Sequence, residues 1–171
     1  MKFSMSLFMW GRSSFGMRPR PMLALLLPAF VGALIVRHWV WMPVVISGES
    51  MLPTLQNGQI VGLNKLAYMS YPPGRGDIVT IWTGQEYMTK RVVGLPGEQL
   101  ALHQGEFFLN GVRLREPYVK LRSGGGEIRP GTIESNRFVV AGDNRGPGGI
   151  IAVVGKERIM GRIIQFGHGS P

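Results

Sequence analysis

The sequence predicts a mainly β protein: a body of short antiparallel strands preceded by one transmembrane helix. Three observations carry that expectation. Twenty-five glycines and twelve prolines among 171 residues punctuate the chain too often for a helical bundle. After residue 43 no stretch holds a long helical period, whereas several short runs alternate in polarity or are β-branched. Before that point, residues 21–36 are wholly uncharged. The length fits one domain with a short appendage. A hydrophobic share of 44% suffices for a core, while 17% charged is low for a freely soluble chain.

Taken in order, residues 1–20 form a basic segment, 21–42 the anchor helix and 43–171 the β domain. The uncharged run falls short of the ~20 residues that span a bilayer. Arg37 can snorkel, however, and Trp39, Trp41 and Met42 continue the apolar character with rings suited to an interface. Pro28 is tolerated in a membrane helix. Lys2, Arg12, Arg18, Arg20 and Arg37 all precede the first carboxylate, Glu49, so more than half of the net charge of +9 flanks the apolar run. That asymmetry orients a signal-anchor with a cytoplasmic N-terminus and places the rest of the chain on the far side. Two other readings of this region stand beside it. A cleaved signal peptide requires a small-x-small site, of which Gly32-Ala33 is a poor version, and an organelle transit peptide shares the Arg- and Ser-rich, acid-free composition of residues 1–20.

The same mapping argues against nucleic acid, because the body lacks basic clusters interleaved with aromatics. The lipid bilayer is the partner that this charge pattern implies. Without cysteine there is neither a disulfide scaffold nor a thiolate zinc site, and no metal or other cofactor is expected.

From residue 43 the strands follow one another. Val44-Val45-Ile46 is β-branched and leads into Ser47-Gly48; residues 59–63 form a strand after the Asn57-Gly58 turn. Tyr71 to Asp77 is loop, and Ile78 to Trp82 a strand. Tyr87 to Val93 and Glu106 to Leu109 are further strands, the second turning at Asn110-Gly111, a strong hairpin signal, into Val112 to Leu114. Residues 123–126 read as a flexible loop and Arg137 to Ala141 as a late strand. No internal repeat is present.

The chemistry-bearing residues are Ser50 and Lys90. Serine is a poor nucleophile until a base takes its proton, and no histidine lies between His38 and His103. Lysine serves as that base only as a neutral amine, which requires burial or a neighbouring cation to lower its pKa. Val92, Val93 and Leu95 offer the first and Arg91 the second. Alternation along the strand puts Met88 and Lys90 on one side, Thr89 and Arg91 on the other. Gly48 and Pro53 shape a turn around Ser50 that frees its backbone N–H for an oxyanion. Taken singly, Ser50 is an ordinary loop serine and Lys90 an ordinary edge-strand lysine. Asp143, in Gly142-Asp143-Asn144-Arg145 after an apolar strand, is placed to pair with Arg91 and brace the Lys90 strand.

Gly48-Glu49-Ser50-Met51-Leu52-Pro53-Thr54-Leu55, Arg75-Gly76-Asp77-Ile78-Val79, the run from Lys90 to Glu98, and Gly142-Asp143-Asn144-Arg145 occur in the order and rough spacing found in type I signal peptidases. The chain resembles that family over most of residues 44–165. The resemblance implies a signal-peptidase-like, largely β peptidase domain and a membrane-bound serine endopeptidase that removes signal peptides from exported preproteins. Ser50 matches the nucleophile and Lys90 the general base. It further implies a substrate bound as an added strand beside Val44 to Gly48 and Glu86 to Thr89, with small residues at positions −3 and −1 before the cut. Met51 and Met88, adjoining the dyad, are candidate walls of the −1 pocket. The expected location is the bacterial plasma (inner) membrane, with the catalytic domain outside the cytoplasm, or alternatively the mitochondrial inner membrane.

The match departs from the family after Arg145, where the chain reads Gly146-Pro147-Gly148-Gly149. A family serine that orients the lysine falls on Gly148, and no serine or threonine lies between Ser135 and Ser170. Water or a backbone carbonyl then orients Lys90, or activity is reduced. Two alternatives remain: a specialised relative, such as a conjugal-transfer pilin peptidase or an organelle inner-membrane peptidase, and a catalytically weak, membrane-tethered peptide-binding module.

Overall fold

The computed structural model describes residues 26–34, 40–120, 127–146 and 151–165. The chain divides into two units, Met1–Val36 and Arg37–Pro171. In the first, residues 26–34 are helical. Among the described residues no helix is long and apolar enough to cross a membrane; residues 21–25 and 35–39 of the expected anchor lie outside them.

Among its described residues the second unit is built of β-strands, with one 3-10 turn at Lys156–Arg158. Its strands are β1 (Trp41–Val45), β2 (Ile60–Asn64), β3 (Ile78–Trp82), β4 (Tyr87–Gly94), β5 (Gln99–His103), β6 (Glu106–Leu109), β7 (Val112–Arg113), β8 (Ile128–Thr132), β9 (Arg137–Ala141), β10 (Ile151–Gly155) and β11 (Ile159–Ile164). They form a seven-stranded sheet in the order β1-β2-β11-β3-β4-β9-β10 and a four-stranded sheet in the order β7-β6-β5-β8. Every described pairing is antiparallel.

The expected strands at β2, β3, β4, β6 and β9 are present, while the first extends to Trp41 rather than starting at Val44. Strands β5, β8, β10 and β11 were not anticipated. Pro130 and Gly131 disguise β8, yet it lies at the end of the small sheet, where a missing N–H breaks no ladder. Gly161 interrupts β11, and the register to β3 shifts between Ile159 and Gly161. That bulge brings the backbone against Asn64 O, so a side chain at 161 has no room. The expected loop at residues 123–126 lies outside the described residues.

Strand alternation sorts the core into three clusters. Val79, Ile81, Val92, Phe138, Val140 and Val154 pack on one face of the large sheet. Ile46, Met51, Leu55, Val61, Leu63, Ile78 and Ile163 fill the other face at its β1 side. Val93, Val139 and Ala141 of the large sheet pack on Leu100, Leu102, Phe107 and Leu109 of the small one, joining the two. The ladder between β4 and β9 slips between Val92 and Gly94, and Gly94 is pressed into this junction. A Cβ there would lie 2.5 Å from Ile133 Cδ1, 3.0 Å from Leu100 Cδ1 and 3.1 Å from Val139 Cβ. Overpacking of this kind costs about 1–3 kcal/mol. Gly94→Ala is therefore expected to lower the unfolding free energy by that amount, read as a lower midpoint of denaturant unfolding with an unaltered slope.

Candidate active site

Ser50 follows β1 through a turn that requires glycine. Gly48 has φ of 86°, a left-handed conformation open to glycine without steric cost, and its N–H donates to Asn57 Oδ1 at 3.0 Å. Past Ser50 the chain coils at once: Leu52 N–H donates to Glu49 O at 3.1 Å and Leu55 N–H to Met51 O at 2.9 Å. Met51 and Leu55, 1% and 0% exposed, sink among Ile46, Val61, Leu63 and Ile78. The apolar contacts pin the turn and leave Ser50 half-buried.

The loop after β9 grips that turn from outside. Asn144 N–H donates to Ser50 O at 3.0 Å, and Asn144 Nδ2 donates to Glu49 O at 3.2 Å. Gly142 approaches so closely that a Cβ on it would lie 2.5 Å from Ser50 O. Ala141, the last residue of β9, is paired with Arg91. Ser50 is thereby delivered to the point where β9 leaves β4, one residue along β4 from Lys90.

Lys90 is 3% exposed. It sits opposite Val79 on β3, and Val92 and Met88 flank it two residues away on the same face. Burial pushes its amine below the ordinary value of 10.5, opposed by the carboxylates of Asp143 and Glu86, because desolvation disfavours the charged form. Among the described residues, neither the Ser50 hydroxyl nor the Lys90 amine makes a hydrogen bond.

Arg91 does not supply the neighbouring cation that the sequence offers. Its guanidinium is committed on the opposite face, donating through Nε to Asp143 Oδ1 at 2.9 Å and through Nη2 to Asp143 Oδ2 at 2.6 Å. Asp143 is fully buried and also accepts from Thr54 Oγ1 at 2.5 Å. Arg91 Nη1 donates to Gly76 O at 2.9 Å, and its Cζ lies 4.0 Å from the centre of the Tyr118 ring. Forked pairing of this sort fixes orientation as well as distance.

Four contributors to the site were given no role by the sequence reading: Thr54, Glu116, Tyr118 and Arg145. Arg145 donates to Glu116 at 2.7 and 2.5 Å and to Gly142 O at 3.1 Å, with its guanidinium 4.6 Å from the centre of the Phe107 ring. Tyr118 OH donates to Glu116 Oε1 at 2.9 Å; burial, then the Glu116 carboxylate, raises the phenol's pKa and keeps it a neutral donor. Arg145 and Thr54 stood within recognised motifs, but nothing local to Glu116-Pro117-Tyr118 signals a partner so distant in sequence. Met51 and Met88 are not brought together in one cluster: the first is core near Ile78, the second packs half-buried on the Lys90 face. Gly148 lies outside the described residues.

Against this geometry, comparison with known proteins is direct. The family described as "Signal peptidase, peptidase S26" matches residues 20–161. The chain is 35% identical to Signal peptidase I of Bacillus caldolyticus, covering 77% of this chain and 75% of that protein. It is 32% identical to Signal peptidase I S of Bacillus subtilis, covering 68% and 69%. A crystal structure of a signal peptidase I from Enterococcus faecalis aligns with 53% of this chain and 95% of its own, at 21% identity and a TM-score of 0.43. The family match and the Bacillus relatives define the class as serine endopeptidases of the type I signal peptidase kind. The chain belongs to the signal peptidase family, peptidase S26.

Two outcomes test the site's construction. Displacing reacting atoms by about 1 Å costs on the order of 10²-fold in rate. Gly142→Ala, which forces Ser50 O to move, is expected to lower kcat/KM for a peptide substrate on that scale while the far-UV spectrum stays unchanged. Lys90→Met removes a buried charge. With the folded pKa below the unfolded one, the unfolded wild-type chain binds more protons in the window between them, so wild-type stability rises with pH there. The variant's gain in unfolding free energy is expected to be greatest below the folded pKa and to vanish as pH passes the unfolded one.

Proposed function

We propose that this enzyme removes N-terminal signal peptides from exported preproteins, with Ser50 as nucleophile and Lys90 as general base. The observation that carries this is a lysine 3% exposed among apolar side chains, at the place where the Ser50 turn meets β4. A neutral amine takes the hydroxyl proton as Ser50 Oγ attacks the scissile carbonyl. The tetrahedral intermediate's oxyanion faces the Ser50 N–H. Its collapse breaks the peptide C–N bond, the leaving amine takes the proton from Lys90, and an ester to Ser50 remains. Lys90 then deprotonates a water that attacks the ester, releasing the acid and restoring the hydroxyl.

Sheet topology supports binding of substrate as an added strand. β4 pairs with β3 from Tyr87 to Arg91 but with β9 only from Arg91 onward, so among the described residues the β9-side edge of residues 87–90 has no strand neighbour. β1 stands at the end of the sheet, paired with β2 alone. The chain leaving β1 is bonded to the loop leaving β9 through Asn144 N–H and Ser50 O, so both strands run into segments tied to the Ser50 turn. Backbone bonds along the β1 and β4 edges supply affinity, and shallow pockets select small residues at −3 and −1. Met88, on the Lys90 face, is the proposed wall of the −1 pocket, and Met51 backs the turn from the core. An anchor in the apolar segment from residue 21, ending before Trp41 and Met42, which belong to β1 rather than to the expected helix, holds the domain at the bacterial plasma membrane on its extracytoplasmic side, and the shared bilayer raises the effective concentration of membrane-borne preproteins.

The test is cleavage, by purified full-length protein in detergent, of a preprotein bearing Ala-x-Ala before its cut. Ser50→Ala and Lys90→Ala are expected to abolish it, and kcat/KM is expected to rise with pH along a limb whose apparent pKa lies below the 10.5 of an ordinary lysine. Failure of the intact chain to cut would sink the signal-peptidase role for this chain, and cleavage surviving Lys90→Ala would sink the dyad.

A further inference from the structure

We infer that Asn144 is the residue that sets the oxyanion hole, by fixing the peptide group between Glu49 and Ser50. The inference rests on Ser50 being the nucleophile. The hydrogen-bond donor nearest the nucleophile is its own backbone N–H, which belongs to the peptide whose carbonyl is Glu49 O. In a trans peptide, C=O and N–H point to opposite sides of a rigid plane. Whatever holds the carbonyl therefore aims the N–H. Glu49 O accepts from Leu52 N–H at 3.1 Å and from Asn144 Nδ2 at 3.2 Å, so both of its lone pairs are engaged. The Ser50 N–H donates to no acceptor among the described residues.

The next peptide is held by the same residue. Asn144 N–H donates to Ser50 O at 3.0 Å, so Asn144 grips the carbonyls on both sides of the serine, one with its side chain and one with its backbone. Its position is fixed independently of Ser50: Asp143 before it is locked by Arg91 and Thr54, and Arg145 after it by Glu116. An amide whose carbonyl already accepts hydrogen bonds is polarised and donates more strongly through its N–H. Asn144 thus orients and strengthens the one oxyanion donor that the Gly48 turn offers. It is a positioning residue, acting through the Ser50 peptide without touching substrate.

The experiment compares the full-length protein with Asn144→Ala and Asn144→Asp. Aspartate keeps the shape and the backbone bond but cannot donate to Glu49 O, so it reads the interaction even where alanine loosens the loop. Cleavage of the Ala-x-Ala preprotein is measured on the alkaline plateau of the pH profile, where an altered Lys90 titration does not enter. A peptide aldehyde carrying the same small residues, whose adduct with Ser50 places an oxygen in the hole, is compared with the matching alcohol, which forms no adduct. Both variants are expected to lose kcat on the order of tenfold, less than the ~10²–10³ that follows loss of a whole oxyanion donor, with KM unchanged. Aldehyde affinity falls in parallel and alcohol affinity does not. A kcat within about twofold of the wild type for the aspartate variant, or equal loss of aldehyde and alcohol affinity, would overturn the inference. Undiminished cleavage by a Ser50→Ala control would instead remove the nucleophile assignment beneath it.

Discussion

The forked pair between Arg91 and Asp143 is the interaction on which the rest of the site depends. It joins the β4 strand, the loop after β9, the Ser50 turn through Thr54 and the loop before β3 through Gly76 O. No apolar contact could do this, because the groups brought together are backbone carbonyls and a hydroxyl that need directional partners. Asp143 has no exposed surface and Arg91 very little, so loss of either side chain strands a charge in the interior, generally at about 3–5 kcal/mol. The ring of Tyr118 closes the remaining side of the guanidinium.

Strand alternation lets two adjacent basic residues do opposite things. Lys90 is buried among apolar side chains and desolvation holds its amine below the ordinary lysine value, whereas Arg91 must have a full counter-charge to be buried at all. Had both pointed to one face, Asp143 would have paired with the lysine and kept it protonated. With period two they separate, and the arginine takes up the carboxylate. Asp143 still opposes the fall in the Lys90 pKa, but burial among Val79, Val92 and Met88 outweighs it. Desolvation is the largest cause of the lysine's lowered pKa, and its basic neighbour holds the strand through Asp143.

Much of this was legible in the sequence, for reasons that differ by element. The strands carrying the site alternate or are β-branched, and Gly48, Asn57-Gly58 and Asn110-Gly111 mark their turns, so β2, β3, β4, β6 and β9 follow from pattern alone. β8 and β11 were obscured by Pro130, Gly131 and Gly161, residues whose place in a strand depends on an open edge or a bulge, both properties of the assembled sheet. β10 begins beside residues whose composition departs from the family. Within the site, Ser50, Lys90, Arg91 and Asp143 stand in compact motifs, and each motif has local punctuation. Glu116 and Tyr118 have none: Glu116 takes its meaning from a contact with Arg145 across 29 positions of sequence, and Tyr118 from Glu116 and the Arg91 guanidinium. Of the two roles that the sequence offers Arg91, its guanidinium takes the bracing one with Asp143 and is not among the causes of the Lys90 shift.

Each residue of Gly142-Asp143-Asn144-Arg145 has a separate physical task, and together they show where the fold places its buried polar groups. Gly142 permits contact with Ser50 O that any side chain would prevent. Asp143 ties the loop to β4, Asn144 holds the two carbonyls around the serine, and Arg145 anchors the loop's own backbone at Gly142 O while pairing with Glu116. A buried polar network that is fully satisfied is rigid, and a partly satisfied one is not. Here the satisfied groups adjoin the two proposed as reactive, the Ser50 hydroxyl and Lys90 amine, which are left without partners among the described residues. That division is what a preorganised site requires: atoms that must not move are bonded to protein, and atoms that must react are left for substrate to complete.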